Sequence, residues 1–168
     1  MNLEFVNDAR GRRLLNIEDA RIIWPNFSGE ATKYSREGDQ FFTLVIPTVE
    51  MYEALMSDVN EYGVPWNVRY SEPRTEEEEP FIKMKVKVKF NDYGPKVYLK
   101  SGNRTIELDQ ESIKCLDNMS LSKIDMYIRP FDGEANGQPY RAAYLQTMHV
   151  TQDVYADPYA SRMYDYED

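Results

Sequence analysis

The sequence is poor in the residue types with which small proteins bind metals or form disulfides. It contains one cysteine, Cys115, and one histidine, His149. A single cysteine excludes an internal disulfide and a cysteine-based zinc site, and it suits a reducing compartment. A Cys–His catalytic pair has no other support in the sequence, so we interpret both residues as structural. A chain of 168 residues suits one domain with a core that needs neither metals nor disulfides.

The motifs of common enzyme classes are also missing. Neither a Walker pattern nor Gly-x-Gly-x-x-Gly occurs, and there is no Gly-x-Ser-x-Gly or His-Glu-x-x-His. No apolar run reaches the roughly 18–20 residues that span a membrane, and the first residues do not have the layout of a signal peptide. We therefore expect a non-secreted protein that is not an enzyme and needs no cofactor or metal. A metal-dependent nuclease built on Asp19, Asp125 and Asp132 stays open as a weaker alternative, although their spacing is uninformative.

Positive charge is scarce overall but unevenly distributed. The formal net charge is −9, whereas polyanion-binding domains are usually basic. Residues 1–79 contain 8 basic and 16 acidic side chains, residues 80–150 contain 11 basic and 8 acidic ones, and residues 151–168 contain 1 basic and 5 acidic ones. Much of the acid lies in Glu76–Glu79 and in the C-terminal tail. Because a ligand responds to the local field, the mildly basic middle region keeps a polyanion ligand possible.

The most regular stretch of the sequence runs from Phe81 to Ser101. Apolar residues at 82, 84, 86, 88 and 90 alternate strictly with Lys83, Lys85, Lys87 and Lys89. A period of two predicts a strand with one apolar face and one lysine face. Asn91 to Pro95 has turn composition, and residues 96–100 repeat the alternation with Val97 and Leu99. We therefore predict a β-hairpin from 81 to 101 with one buried and one basic face. A solvated edge protected by lysines is the alternative interpretation.

The remaining pattern predicts a mainly β chain. Strands are expected at 17–24, 41–46, 66–70, 105–108, 123–131 and 140–150. Thr48 is a plausible N-cap for a helix from Val49 to about Asn60, and a second, brief helix is expected from Asp109 or Gln110 through Leu116. Ser71 to Pro80 is expected to be a charged loop. Five or more strands with two short helices predict a small, closed or partly open barrel of the oligonucleotide/oligosaccharide-binding (OB) type.

Aromatic and basic residues recur together on the predicted outer faces and loops. The predicted contact residues are Lys33, Tyr34, Arg36, Lys85, Lys87, Lys96, Tyr98, Lys100, Tyr127, Arg129 and Phe131. The cations are expected to follow a phosphate backbone. Tyr34, Tyr98, Tyr127 and Phe131 are expected to stack on bases, while Trp24 and Phe27 belong either to this set or to the core. Such stacking contributes roughly 1–3 kcal/mol per base and tolerates any base. This pattern favours binding of single-stranded nucleic acid.

Several segments resemble a family of bacteriophage single-stranded DNA-binding proteins. They are Ala20–Gly29, followed by Tyr34, Gly38 and Phe41–Ile46, then Pro95–Leu99, Asp125–Pro130 and Ala143–Met148, in order across roughly residues 18–151. The resemblance implies an OB barrel without catalysis. It also implies protection of single strands during phage DNA replication or recombination, in the host cytoplasm. The contact residues come from the strand faces and not from this resemblance.

We thus predict three parts. Residues 1–15 are a loose N-terminal arm, residues 16–151 an OB-like domain that binds single-stranded DNA, and residues 152–168 a flexible acidic, tyrosine-rich tail. Replication or recombination proteins are possible partners of the tail, and no membrane contact is expected. The main alternative is a phage interaction protein that binds a host protein through an acidic, DNA-mimicking surface.

Overall fold

The computed structural model describes residues 1–155 of the chain. Its strands are β1 (Asn2–Asn7), β2 (Arg13–Glu18), β3 (Ile22–Asn26), β4 (Phe41–Val45), β5 (Val68–Ser71), β6 (Phe81–Lys87), β7 (Lys96–Ser101), β8 (Arg104–Leu108), β9 (Leu121–Ala135) and β10 (Gln138–Gln152). The helices are α1 (Val49–Ser57) and a 3₁₀ helix (Ser112–Asn118). The predicted mainly β chain with two short helices is confirmed. Most of the predicted acidic tail, from residue 156 onward, lies outside the described residues.

The strands form one mixed sheet whose central element is β10. Along the main path the order is β1-β2-β9-β10-β6-β4-β3, with β5 beside β6 and β8 beside β7. β9 and β10 make a long antiparallel hairpin. On its other side β10 pairs in parallel first with β6 and then with β7. β10 is therefore paired with β9 along most of its length and, on its other side, with β6 at residues 143–144 and with β7 at residues 147–151. These pairings fix the relative positions of the strands that carry the predicted contacts.

The predicted hairpin between residues 81 and 101 is wrong, although both of its arms are strands. β6 and β7 do not pair with each other, because both run parallel to β10, one after the other. Residues 91–94 form a small tight loop between them, closed by hydrogen bonds between Asn91 and Gly94. Alternation of side chains determines which face is buried but says nothing about the neighbouring strand. The antiparallel partner of β7 is β8.

The first fifteen residues are also more ordered than predicted. β1 and β2 pair antiparallel from Asn2↔Glu18 to Asn7↔Arg13, so the predicted loose arm is a β-hairpin. The predicted strand from Ile17 to Trp24 is divided into β2 and β3 by a corner at Asp19, where φ is 54°. β2 pairs with β9, whereas β3 pairs with β4. The chain thus turns from one part of the sheet to another at this corner.

The core lies beneath the inward faces of these strands. Its largest fully buried side chains are Trp66, Phe27 and Phe42. Helix α1 packs Leu55 into this core, and the Thr48 hydroxyl caps it by accepting a hydrogen bond from the Met51 amide at 3.2 Å. Within residues 1–155, no helix is long and apolar enough to cross a membrane.

Candidate nucleic-acid interface

A row of alternating aromatic and cationic residues crosses four strands on the outer side of the sheet. Phe41 of β4 is opposite Lys87 of β6, Lys87 is beside Tyr144 of β10, and Tyr144 is opposite Arg129 of β9. Directly paired residues in a sheet project from the same face. We give the name basic face to seven outer residues of these four strands and to Lys89, whose Nζ atom lies 5.6 Å from the centre of the Tyr144 ring. Its members are Phe41, Lys83, Lys85, Lys87, Lys89, Arg129, Phe131 and Tyr144.

The strand pattern explains why these side chains point outward. Ile82, Met84 and Val86 of β6 are buried, so the intervening lysines project from the opposite side. In β9, Met126 and Ile128 are buried, and the residues that alternate with them face outward. The predicted basic face of β6 is therefore confirmed.

Aromatic rings and cations are in contact across the basic face. The Lys85 Nζ atom lies 4.2 Å from the centre of the Phe41 ring, and the Arg129 guanidinium lies 4.8 Å from the centre of the Tyr144 ring. Phe131 stacks on Tyr144 with ring centres 4.8 Å apart and planes at 6°. Tyr144 is almost fully covered, whereas Phe131 is 37% exposed. Tyr144 therefore supports Phe131 from below, and Phe131 is the ring available to a ligand.

A second aromatic cluster stands near the start of β6. Trp24 and Phe81 meet edge-on with ring centres 6.0 Å apart, and Lys83 Nζ lies 4.8 Å from the centre of a Trp24 ring. Trp24 is 58% exposed, because the positive φ of 49° at this residue interrupts the pairing of β3 with β4. Phe27, in contrast, is fully buried and belongs to the core.

No carboxylate of residues 1–155 neutralises the cations of this region. Within residues 1–155, Lys83, Lys85, Lys87, Lys89 and Arg129 form no ion pair. The basic face thus concentrates positive charge in a molecule whose net charge is −9. An anionic ligand could approach these five cations without displacing a carboxylate of the described part of the chain.

The predicted loop residues Lys33, Tyr34 and Arg36 lie in the β3–β4 connection. The loop begins and ends close together, since the Gly38 amide donates to the Gly29 carbonyl at 2.6 Å. The later residues of this loop, 37–40, line an open groove of about 410 Å³ together with Lys85, Lys87, Lys89 and Phe41. The loop therefore borders the basic face, with Tyr34 exposed at its tip.

Lys96, Tyr98 and Lys100 lie on β7, which pairs with the later part of β10. We call these three residues, together with Tyr127 and His149, the outer strip. Lys96 forms an ion pair with Glu107 at 3.5 Å. Tyr98 stacks on His149 with ring centres 5.0 Å apart, and His149 is opposite Asp125. Tyr127 projects from the same outward side of β9 as Arg129. In the sheet, Thr147 of β10 lies between Tyr127 and Lys96, because it pairs with both residues. This strip adjoins the basic face but also carries acidic residues.

The carboxylates considered for a nuclease are not assembled into one cluster. The Asp19 amide donates to the Asp125 carboxylate at 3.0 Å, whereas Asp132 accepts a hydrogen bond from Arg141 Nε at 2.7 Å. In the part of the chain that the structure describes, no group of three acidic, His or Cys side chains is arranged to hold a metal.

Cys115 lies in the 3₁₀ helix, where partial burial raises the pKa of its thiol.

Several residues of the basic face were not among the predicted contacts. Phe41 belongs to a strand that is almost wholly apolar in sequence, and Tyr144 lies between Ala143 and Leu145 with no basic residue next to it in the sequence. Period-two alternation in β10 predicts that Tyr144 points outward, because its sequence neighbours Ala143 and Leu145 are buried on the other face. Nothing in the sequence shows that Tyr144 lies between Lys87 and Arg129, because that depends on which strands are neighbours.

The fold and this face define a mainly β binding domain, and the comparisons with known proteins identify its family. A family model described as a putative phage ssDNA-binding domain matches residues 7–165. The chain therefore belongs to the phage ssDNA-binding domain family. No curated protein matches the chain.

Solved structures with a similar fold come from bacteriophage Enc34. Its single-stranded DNA-binding protein has a TM-score of 0.53 at 13% identity, with 91% of each chain covered. The same phage protein in complex with ssDNA has a TM-score of 0.51 at 12% identity, covering 90% of this chain and 96% of that one. At this identity the likeness concerns the fold.

Proposed function

We propose that the chain binds and protects single-stranded DNA without strong sequence preference during phage DNA replication or recombination in the host cytoplasm. The observation that carries the proposal is the row Phe41–Lys87–Tyr144–Arg129, in which neither cation has a carboxylate partner within residues 1–155. Membership in the phage ssDNA-binding domain family supports the same function.

Cations and rings have separate roles in this proposal. Lys85, Lys87 and Arg129 bind phosphates, and their positive charges replace the counterions that the strand releases. Phe131, held from below by Tyr144, stacks on a base, which contributes roughly 1–3 kcal/mol. Because any base has a face to stack and phosphates carry no sequence information, the binding is non-specific.

The other predicted contacts extend this path on both sides. Lys33, Tyr34 and Arg36 would meet the strand where the β3–β4 loop borders the groove beside Lys89. On the other side, the DNA strand would contact the outer strip next to the basic face, through Tyr127, Lys96, Tyr98 and Lys100. We propose that the pairings β9–β2, β3–β4, β4–β6 and β6–β10 enclose the core as a partly open OB barrel. We also propose that the C-terminal tail serves protein partners of replication or recombination.

A fluorescence-anisotropy or gel-shift titration with a labelled single-stranded oligonucleotide, with and without Mg²⁺, tests the function. A complex without cleavage under both conditions is expected. Absence of a complex would favour the interaction-protein alternative, and cleavage that requires Mg²⁺ would favour the nuclease.

The Phe131→Ala variant tests whether the basic face carries this binding. Its affinity for the oligonucleotide should fall by roughly 1–3 kcal/mol, because a stacking ring is lost. Ile106→Ala is a suitable control, since Ile106 is an exposed apolar residue on β8, away from the face. Equal affinities of wild type and Phe131→Ala would place the DNA elsewhere.

A further inference from the structure

Two tight loops of the same construction each present an exposed tyrosine. In residues 32–35 and 91–94 the first and fourth residues form an isolated antiparallel bridge, and the third residue is a tyrosine. The Tyr34 amide donates to Thr32 Oγ1 at 3.1 Å, and the Tyr93 amide donates to Asn91 Oδ1 at 2.8 Å. Tyr34 is 87% exposed and Tyr93 is 89% exposed. These bonds fix each loop backbone, so little conformational freedom is lost when a ligand contacts the ring.

Tyr93 stands at the rim of an open groove that the sequence analysis did not predict. The groove has a volume of about 550 Å³ and lies between the 91–95 loop and the turn that joins β1 to β2. Arg10 and Arg12 line it from the turn, and Arg129 of the basic face lines it from the sheet. This volume falls within the range of small-ligand sites, roughly 300–1,000 Å³.

The β1–β2 turn is constructed so that Arg10 stays available. The Asp8 carboxylate accepts hydrogen bonds from the amides of Arg10 and Arg12 at 2.9 and 2.8 Å. It also forms an ion pair with the Arg12 side chain at 2.9 Å, so these two charges offset each other. Arg10 and Arg129 form no ion pair within residues 1–155. They are therefore the two cations of the groove that an anion can reach without competing with a carboxylate.

We infer that this groove is a nucleotide subsite that extends the single-stranded DNA path beyond the basic face. Tyr93 stacks on a base, while Arg10 and Arg129 bind the adjacent phosphates. Arg129 connects the two regions, because its guanidinium also contacts Tyr144 of the basic face. The inference rests on the proposed function and adds Tyr93 and Arg10 to its contact residues.

The test is a comparison of Tyr93→Ala with wild type over a series of oligothymidylates of about 4 to about 16 nucleotides, the range that OB folds cover. The shortest oligomers fit on the basic face alone, so both proteins should bind them equally. Longer oligomers also reach the groove, so wild type should bind them about 5-fold or more tightly than Tyr93→Ala does. Tyr93→Phe keeps the ring and should bind like wild type at every length.

Matched controls separate the subsite from general effects. Tyr62 is 69% exposed on a turn in which its amide also bonds an asparagine side chain, Asn60, at 2.9 Å, but it lines neither groove. Tyr62→Ala should therefore bind all lengths normally. Arg10→Ala should repeat the length-dependent loss, whereas Arg74→Ala, in the charged loop, should not.

The results distinguish this inference from the proposed function. If wild type binds no oligothymidylate, both fail. If it binds and Tyr93→Ala matches it at every length, the subsite is refuted and the proposed function stands. A loss in Tyr93→Ala that is equal at all lengths, or an equal loss in Tyr62→Ala, also refutes an extension of the path.

Discussion

Lys85 and Lys96 are both exposed lysines on outer strand faces, but their surroundings differ. The Lys85 ammonium lies over the Phe41 ring and forms no ion pair within residues 1–155, whereas Lys96 is paired with Glu107. A lysine that already has a carboxylate partner gains less from a phosphate, because one interaction replaces another. The sequence could not separate these two residues, since Glu107 meets Lys96 only through the β7–β8 pairing.

This difference predicts unequal effects of alanine substitution. Lys85→Ala should weaken oligonucleotide binding by about 1 kcal/mol, the scale of one lost charged contact in water, and Lys96→Ala by less. Glu107→Gln should tighten binding, because it releases Lys96. Titrations of the three variants with one oligonucleotide give the comparison. A larger loss in Lys96→Ala than in Lys85→Ala would show that the outer strip, and not the basic face, holds the main phosphate path.

At the scale of elements, an ion-pair network holds helix α1 against the sheet. Asp58 caps the end of α1, and its carboxylate accepts hydrogen bonds from the Trp66 indole at 2.8 Å and from Arg13 at 3.0 Å. Arg141 of β10 donates to the Asp58 carbonyl at 3.0 Å and pairs with Asp132 of β9. The Arg141 side chain is buried, whereas that of Arg13 is 42% exposed.

Because Arg141 is buried and Arg13 is partly exposed, the two arginines should contribute differently to the free energy of unfolding. Arg141→Ala should lower the free energy of unfolding by roughly 1–3 kcal/mol, because it removes a buried guanidinium that donates to the Asp58 carbonyl and to the Asp132 carboxylate. Arg13→Ala removes an exposed pair and should cost about 0–1 kcal/mol. Urea denaturation of both variants measures the difference. Similar losses would mean that the network does not depend on burial.

The faces of the strands could be predicted from the sequence, whereas their neighbours could not. Period two correctly placed Val86 inward and Lys85 outward, because the pleat alternates in any strand. The same pattern gave a false hairpin, since a turn-like composition at 91–95 is equally compatible with a small loop between two collinear strands. The β1–β2 hairpin was missed for a related reason. Leu3 and Phe5 alternate with Asn2 and Glu4, but the stretch is short, and the first half of its partner strand, residues 13–15, was assigned to the arm.

The candidate site shows the same division. Single residues such as Lys87, Arg129 and Phe131 were predicted from their own strands. Their common position was not, because it requires β10 to lie between β6 and β9. The position of Tyr144 between Lys87 and Arg129 therefore could not be predicted from the sequence.

At the scale of the whole molecule, acid should weaken the fold through carboxylates whose pKa is lowered. Burial raises the pKa of Asp132, but hydrogen bonds from Arg141 and Asn60 outweigh it, so the pKa lies below its usual value. A lowered pKa in the folded state means that Asp132 contributes its full stabilisation above the unfolded value of about 3.9 and loses it as the pH falls through the folded value.

Thermal unfolding of wild type and Asp132→Asn as a function of pH tests this linkage. Near neutral pH the variant should be less stable, because Arg141 loses its charged partner. Between about pH 5 and about pH 2 the difference should shrink, since wild type becomes protonated at Asp132 while the variant does not titrate there. A difference in Tm that stays constant over this range would show that the charge of Asp132 does not stabilise the fold.

The strongest whole-molecule test concerns salt, because net charge and local charge make opposite predictions. A protein of net charge −9 should repel DNA, and added salt would then strengthen binding or leave it unchanged. The basic face instead offers five cations that form no ion pair within residues 1–155: Lys83, Lys85, Lys87, Lys89 and Arg129. On a single strand, each phosphate contact contributes about −0.7 to the slope of log affinity against log salt concentration, because a counterion is released. If all five cations bind phosphates, the expected slope is about −3.5.

Anisotropy titrations from roughly 50 to 300 mM salt measure this slope. The double variant Lys83→Ala/Lys85→Ala should reduce its magnitude by about 1.4, because two contacts are removed. Lys123→Ala is the matched control, since Lys123 is already near the Asp125 carboxylate at 3.8 Å and should change the slope little. A wild-type slope near zero would mean that the cations of the basic face do not bind the phosphates of the DNA.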